Sequence, residues 1–308
     1  MCVVTDDYTL YTQMSETQQE VNGKSQTPEN ETTGKKTEEK PREPPIIFKD
    51  LDIKTELECL VRLLDGKISK EDEVSIEELH QYLIEDDGSW ALGDNFLVFV
   101  GRVLRESSFS PDTRIHLMRI LACAALRDDV IIVLHQDRRD HVLMNFSQDI
   151  DKHTPEEQQA WGLFLCNLFE NPGPSEWLLY ISEWDFNGQV ISNIRVSTKV
   201  AVHCLLSSCP TLQDIGTALL YNIAIKEVKT VVFDDVAVEF AMAILQFFNN
   251  KPSEEHLFRT LKALTRFMQV SNDVPQFIQM IGPHPKIFAN TSSRVDELIN
   301  IISKKVPA

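Results

Sequence analysis

The sequence is short of the residues from which most small-molecule chemistry is built. Only 11 of its 308 residues are glycine, and no GxSxG, HExxH, P-loop or GxGxxG string occurs, so nucleophile elbows and phosphate cradles lack material. The six cysteines, Cys2, Cys59, Cys123, Cys166, Cys204 and Cys209, form no CxxC pair and no Cys/His spacing suited to zinc. They read as reduced thiols of a cytoplasmic or nuclear protein. No run reaches the roughly 18 apolar residues of a membrane span, and the opening MCVVTDDYTLYTQ has neither the basic nor the apolar region of a secretory leader. Positive charge is scarce as well. Thirty basic side chains against 47 acidic ones leave a net charge of -17, a field that opposes nucleic acid and anionic bilayers. Neither is expected as a partner, and any anionic ligand must meet a local basic patch.

Residues 1–45 are rich in Thr, Glu, Gln, Lys and Pro, and from Ser15 to Pro45 the one large aliphatic residue is Val21. So little apolar surface cannot offset the entropy of ordering, which predicts a disordered tail. The Pro41, Pro44 and Pro45 cluster marks its end. Ile46-Ile47-Phe48 is the first dense apolar patch and is expected to pin the tail onto the domain that follows, residues 46–308.

From Ile53 onward apolar residues recur at three- and four-residue steps, in segments of about ten to eighteen residues separated by short polar or proline-containing breaks. This predicts an all-α fold. Thr154-Pro155-Glu156-Glu157 and Ser253-Glu254-Glu255-His256 carry helix-opening chemistry, and Asp112, Ser175, Asp235 and Asp273 mark other expected starts. Thr230-Val231-Val232-Phe233 alone has the composition of a strand. Local strings recur: FLCNL at Phe164–Leu168 and LLYNI at Leu219–Ile223 share an Asn in an apolar helix, and Leu121–Ala124 and Leu264–Phe267 occupy equivalent places without it. Their spacing is close to the ~40–47 residues of armadillo and HEAT repeats, with a longer middle interval that holds the turn clusters NPGP (171–174) and DFNG (185–188). The expected architecture is an armadillo-like superhelical solenoid of about six repeats, with one curved face able to accept an extended peptide.

No catalytic constellation emerges, so the chain is read as a non-enzyme. His135, His141, Asp137 and Asp140 read as a solvated charged stretch, and His203 beside Cys204 points about 100° away from it on a helix and shares no proton with it. Two features do ask for an explanation. Asn167 and Asn222 sit in otherwise apolar helices, where an amide costs desolvation unless it finds partners. Either they serve an extended backbone, or they tie one repeat to the next. Arg259, Lys262 and Arg266 form a cationic stripe opposite Leu257, Leu261, Leu264 and Met268, a local exception in an acidic protein. Arginine also offers a planar fork for carboxylates. Arg119 and Arg127 could extend the stripe in the earlier repeat.

Ile46-Ile47-Phe48, AWGLFLCNLF (160–169), TALLYNIA (217–224) and EHLFRTLKALTRF (255–267), taken in that order and spacing, resemble the PUL domain, the armadillo-like C-terminal module of the phospholipase-activating and ubiquitin-fusion degradation family. The resemblance runs from about Ile46 to Val306. It implies a cofactor-free adaptor that binds the acidic, apolar-ended C-terminal tail of the valosin-containing AAA ATPase in a cationic groove, linked indirectly to the ubiquitin pathway. Arg259, Asn167 and Asn222 fall on family positions; Lys262, Arg266 and Arg119 are added from the charge pattern. Leu163 stands where the family tends to have arginine, which removes or moves part of the pocket. The propeller and ubiquitin-binding segment of longer relatives are missing, so the expectation is a free-standing adaptor or competitor. The alternative is an armadillo-type scaffold for an unrelated partner, or one onto which residues 1–45 fold back.

Overall fold

A computed structural model describes residues 43–234 and 236–306. The predicted tail therefore falls outside the described residues as far as position 42, as does the predicted helix start at Asp235. Glu43, Pro44 and Pro45, assigned to the tail on composition, belong to a segment without helix or strand, 43–52, that precedes the first helix.

The described chain is predominantly helical. Fourteen α-helices follow: α1 (Ile53–Leu64), α2 (Lys70–His80), α3 (Asp94–Arg105), α4 (Pro111–Ala124), α5 (Ile131–Asp140), α6 (Val142–Gln148), α7 (Pro155–Asn167), α8 (Pro172–Trp177), α9 (Asn193–Leu206), α10 (Pro210–Ile225), α11 (Ala237–Phe247), α12 (Glu254–Val270), α13 (Val274–Met280) and α14 (Ser293–Lys305). Several begin as the sequence dictates. Thr154 and Glu157 form a reciprocal capping box at α7, with Pro155 at the first helical position, where its missing N–H costs nothing. Ser253 caps α12 through the His256 amide. Asp273 is the residue before α13. Two starts shift: Ser110, not Asp112, caps α4, and α8 opens at Pro172 with Ser175 inside it.

Two short segments bear on the all-helical expectation, and only the second departs from it. Thr230–Phe233 is a 3-10 turn, its Phe233 buried, because an isolated apolar tetrapeptide has no strand to pair with. The turn cluster at 185–188 is instead the tip of a hairpin, β1 (Glu183–Phe186) with β2 (Gln189–Ser192), paired Phe186 to Gln189 and Glu183 to Ser192. Asn187 and Gly188 at φ 53° and 77° supply the two left-handed residues that a two-residue hairpin turn needs.

The helices pack in two series. In the first, α1, α4, α7, α10, α12 and α14 lie in that order, each against the next. In the second, α3 meets α5 and α6, α6 meets α9, α9 meets α11, and α11 meets α13. One continuous apolar core runs between them, with Trp161, Phe164, Trp177, Phe240 and Phe267 among its largest buried side chains. Hydrogen bonds between successive parts of the structure repeat at nearly constant sequence separation. Arg127 to the Tyr82 carbonyl, Arg139 to Asp94, Asn167 to the Ala122 carbonyl, Asn171 to the Leu126 carbonyl and Arg259 to Asp214 all span 45 residues. Glycine allows the closest approaches. A Cβ on Gly216 of α10 would lie 2.3 Å from the Leu205 backbone nitrogen in α9, and one on Gly162 of α7 would lie 2.5 Å from Ile215 Cγ2.

Candidate peptide groove

The site starts from two amides that should not be free inside an apolar helix. Asn167 and Asn222 are completely buried, on α7 and α10, which are neighbours in the first series. Both are spent on the extended segment. Asn222 Oδ1 accepts the Ile46 N–H at 2.7 Å and its Nδ2 donates to the Ile46 carbonyl at 2.8 Å. Asn167 does the same for Phe48, at 2.7 and 2.9 Å, and its second amide hydrogen goes to the Ala122 carbonyl of α4 at 2.8 Å. Asn167 thus serves the chain's own backbone at Phe48 and also ties α7 to α4.

The geometry follows from strand chemistry. In an extended chain the N–H and C=O of one residue point to the same side, and residues two apart point alike. Ile46 and Phe48 therefore face the helices together, and the side-chain amides act as a substitute neighbouring strand. Two residues advance roughly 6.6 Å, comparable with the ~8–10 Å between packed helices. Pro44 and Pro45 carry no N–H to satisfy and favour the extended conformation. The side chains of Ile46 and Phe48 pack, partly buried, against the core.

At the N-terminal end of the segment the Glu43 carboxylate is held by Lys262 of α12 and by the Tyr221 hydroxyl of α10, the latter at 3.2 Å. Burial, reinforced by the Glu43 charge, pushes the Tyr221 hydroxyl up to about 12, so it remains a donor at physiological pH. At the other end Lys49 meets Glu170 at 3.1 Å in an exposed pair. The segment thus passes α12, then α10, then α7, against the order of the series.

The cationic stripe is divided. Lys262 faces the segment. Arg259, one turn away and 12% exposed, is committed inside the protein: its guanidinium meets Asp214 Oδ1 at 2.7 Å and Glu255 Oε1 at 2.9 Å. The His256 hydrogen bond and the Arg259 charge outweigh partial burial and keep the Asp214 carboxyl below its ordinary range. Arg266 lies over the Phe233 ring at 5.8 Å. Arg119 pairs with Glu56 at 3.2 Å, a carboxylate that also holds His116, and Arg127 closes on the Tyr82 and Leu83 carbonyls and Asp86. Leu163 is a partly buried residue against the core. Of the residues singled out in sequence, Asn167, Asn222 and Lys262 converge on one segment, whereas Arg259, Arg266 and Arg119 engage other partners. Sequence reasoning missed Glu43 and Tyr221. The signal for Tyr221 was its position beside Asn222.

Asp137, assigned to a solvated stretch, is fully buried in α5, where its Oδ1 accepts the Leu143 N–H at 2.9 Å and so serves the start of α6. His141 stacks on Trp184 with ring centroids 4.0 Å apart. Cys204 is buried and His203 sits at the boundary. Among the described residues, no group of three or more His, Cys, Asp or Glu side chains is placed to hold a metal ion, and no helix is long and apolar enough to cross a membrane.

No family model matches this chain, and no curated protein matches it. Two crystal structures of engineered proteins from the Northeast Structural Genomics Consortium match this chain over most of its length. One has a TM-score of 0.51 at 14% identity, covering 81% of this chain and 96% of its own. The other has a TM-score of 0.47 at 16% identity, covering 82% and 98%. The first likeness extends to the fold alone.

Proposed function

We propose that this chain is a non-enzymatic adaptor of armadillo type, about six helical repeats whose first series of helices binds an extended, acidic peptide. The observation that carries the reading is the bidentate grip of Asn222 on Ile46 and of Asn167 on Phe48: two buried side chains, on adjacent helices, set to hold a backbone two residues per helix. The 45-residue hydrogen-bond separation supports the repeat, and Lys262 with Tyr221 on Glu43 supports an acidic ligand. The resemblance of residues 160–169, 217–224 and 255–267 to the PUL domain nominates the C-terminal tail of the valosin-containing AAA ATPase, in cytoplasm or nucleus. Arg259, Arg266 and Arg119 stand outside this grip, held by Asp214 and Glu255, over the Phe233 ring and by Glu56.

The seated segment 43–50 favours a second reading, a scaffold whose groove is closed for good by its own chain. Ile46→Ser with Phe48→Ser loosens that occupant while leaving the helices' own amides in place. A labelled ATPase tail peptide is expected to bind this full-length variant in the micromolar range, about -8 kcal/mol, with an affinity that falls as salt rises. A folded variant that ignores the peptide at millimolar concentration returns the scaffold.

A further inference from the structure

The segment in the groove specifies more than the presence of a groove. It supplies a register. Apart from the exposed Lys49–Glu170 pair, the contacts that depend on side-chain identity are three: the Glu43 carboxylate on Lys262 and Tyr221, and the partly buried side chains of Ile46 and Phe48. The four asparagine bonds go to the main chain and are blind to sequence. Selectivity must therefore come from the acid and the two apolar residues. Pro44 and Pro45 leave the stretch between acid and aliphatic residue without backbone donors, so no N–H there asks the helices for an acceptor. Glu43 and Ile46 are about 10 Å apart along an extended chain, close to one helix-to-helix step. Lys49 reaches Glu170 with its side chain 60% exposed, a pair that contributes little.

We infer that the groove reads extended peptides of the pattern acid-x-x-aliphatic-x-aromatic, laid from α12 toward α7, and that residues 43–50 are an intramolecular copy of that ligand which an outside peptide must displace. This rests on the peptide-binding reading and adds the register, the direction and the competitor. The copy is joined to α1 by only a few residues, and a short tether gives an effective concentration in the millimolar range. An outside peptide of micromolar intrinsic affinity is then weakened by up to about a thousandfold in the unaltered chain. Loosening the tethered copy restores it.

The probe is the octapeptide Glu-Pro-Pro-Ile-Ile-Phe-Lys-Asp, the chain's own 43–50 sequence, labelled and titrated into full-length protein by fluorescence anisotropy. Binding is expected to be at least tenfold tighter to the Ile46→Ser/Phe48→Ser variant than to the unaltered chain. Replacing the peptide's Glu by Gln, moving it one position, or adding Lys262→Ala to the protein should each weaken binding about fivefold or more. Phe48→Ala alone serves the same comparison if the double variant loses helical circular dichroism. Equal affinity for the unaltered and loosened proteins overturns the competing copy. Binding indifferent to the Glu, its position and Lys262 overturns the register while leaving the groove reading intact. A folded variant that binds neither this peptide nor the ATPase tail removes the groove reading itself.

Discussion

Asn167 grips Phe48 across 119 residues of sequence, accepting its amide hydrogen at 2.7 Å and donating to its carbonyl at 2.9 Å. The pair explains why a fully buried amide is tolerated in the apolar helix α7: every polar atom of the side chain has a backbone partner. It also makes the extended segment part of the folded unit, since releasing it strands buried donors and acceptors.

Asn167→Ala should therefore be the costlier of the two asparagine truncations. It leaves the Phe48 amide and carbonyl and the Ala122 carbonyl without their partner, against two groups for Asn222→Ala. Unsatisfied buried groups cost about 1–3 kcal/mol each, less where water reaches them. We expect about 2–4 kcal/mol for Asn167→Ala and about 1–3 for Asn222→Ala, read from urea midpoints at constant m-value.

Arg259→Ala is expected to act on stability first. The guanidinium connects α12 to α10 through Asp214 and, within α12, meets Glu255. Hydrogen bonds to charged groups contribute about 1.5–3 kcal/mol, reduced here by the partial exposure of both carboxylates. A melting temperature lowered by several degrees, with peptide affinity for the folded fraction changed less than by Lys262→Ala, is the expected pattern. An unchanged melting curve with abolished binding would return Arg259 to the groove.

Asp137 gives the protein a pH dependence of definite sign. Burial pushes its carboxyl up to about 7, more than the amides of Leu143, Met144 and Val142 pull it down. The folded state thus holds a proton that the unfolded chain, titrating near 3.8, releases. The associated stability is fully present below about pH 4, declines as pH rises, and is lost by about pH 7. Asp137→Asn should flatten that part of the profile of unfolding free energy against pH, measured between pH 4 and 8.

Gly216→Ala should be among the most damaging single-methyl additions in the chain. The new Cβ meets the Leu205 and Cys204 backbone at 2.3–2.8 Å, where α9 and α10 cross, and main chain cannot step aside as a side chain does. A cost of at least the upper end of the usual 1–3 kcal/mol for overpacking is expected. Gly162→Ala meets the Ile215 side chain instead and should cost less. Chemical denaturation of the two variants ranks them.

Thiol labelling should separate the cysteines by environment. The Leu212 and Thr211 amides at the start of α10 favour the thiolate and hold the Cys209 thiol below its ordinary range despite slight burial. Burial pushes Cys123 up to about 11 and Cys204 to about 12, and raises Cys166 well above its usual value. Iodoacetamide at pH 8 is expected to modify Cys209 well before Cys123, with Cys166 and Cys204 unreactive until the protein unfolds.

The helices were legible because their signals are local. Apolar spacing set the buried faces, and Thr154 with Pro155 set the start of α7 within four residues of sequence. The asparagines stood out by the desolvation they would suffer without partners. The hairpin at 183–192 was legible only as a turn, since four-residue strands are too short to show alternation. Asp137 was misplaced because Arg138, Arg139 and Asp140 around it have the composition of a surface, while the helical rotation that buries one residue in four leaves no mark on composition.

What the sequence determined by itself is helical character, the approximate period of its repeated strings, and the demand that two buried amides be satisfied. These depend on residues a few positions apart or on single side chains. Which backbone satisfies those amides was decided by tertiary structure alone. Glu43 lies 178 residues from Tyr221 and 219 from Lys262, and nothing in either neighbourhood encodes that separation. Only the stacking of α12, α10 and α7 along one side of the core sets a lysine, a tyrosine and two asparagines in line, one extended chain's length apart.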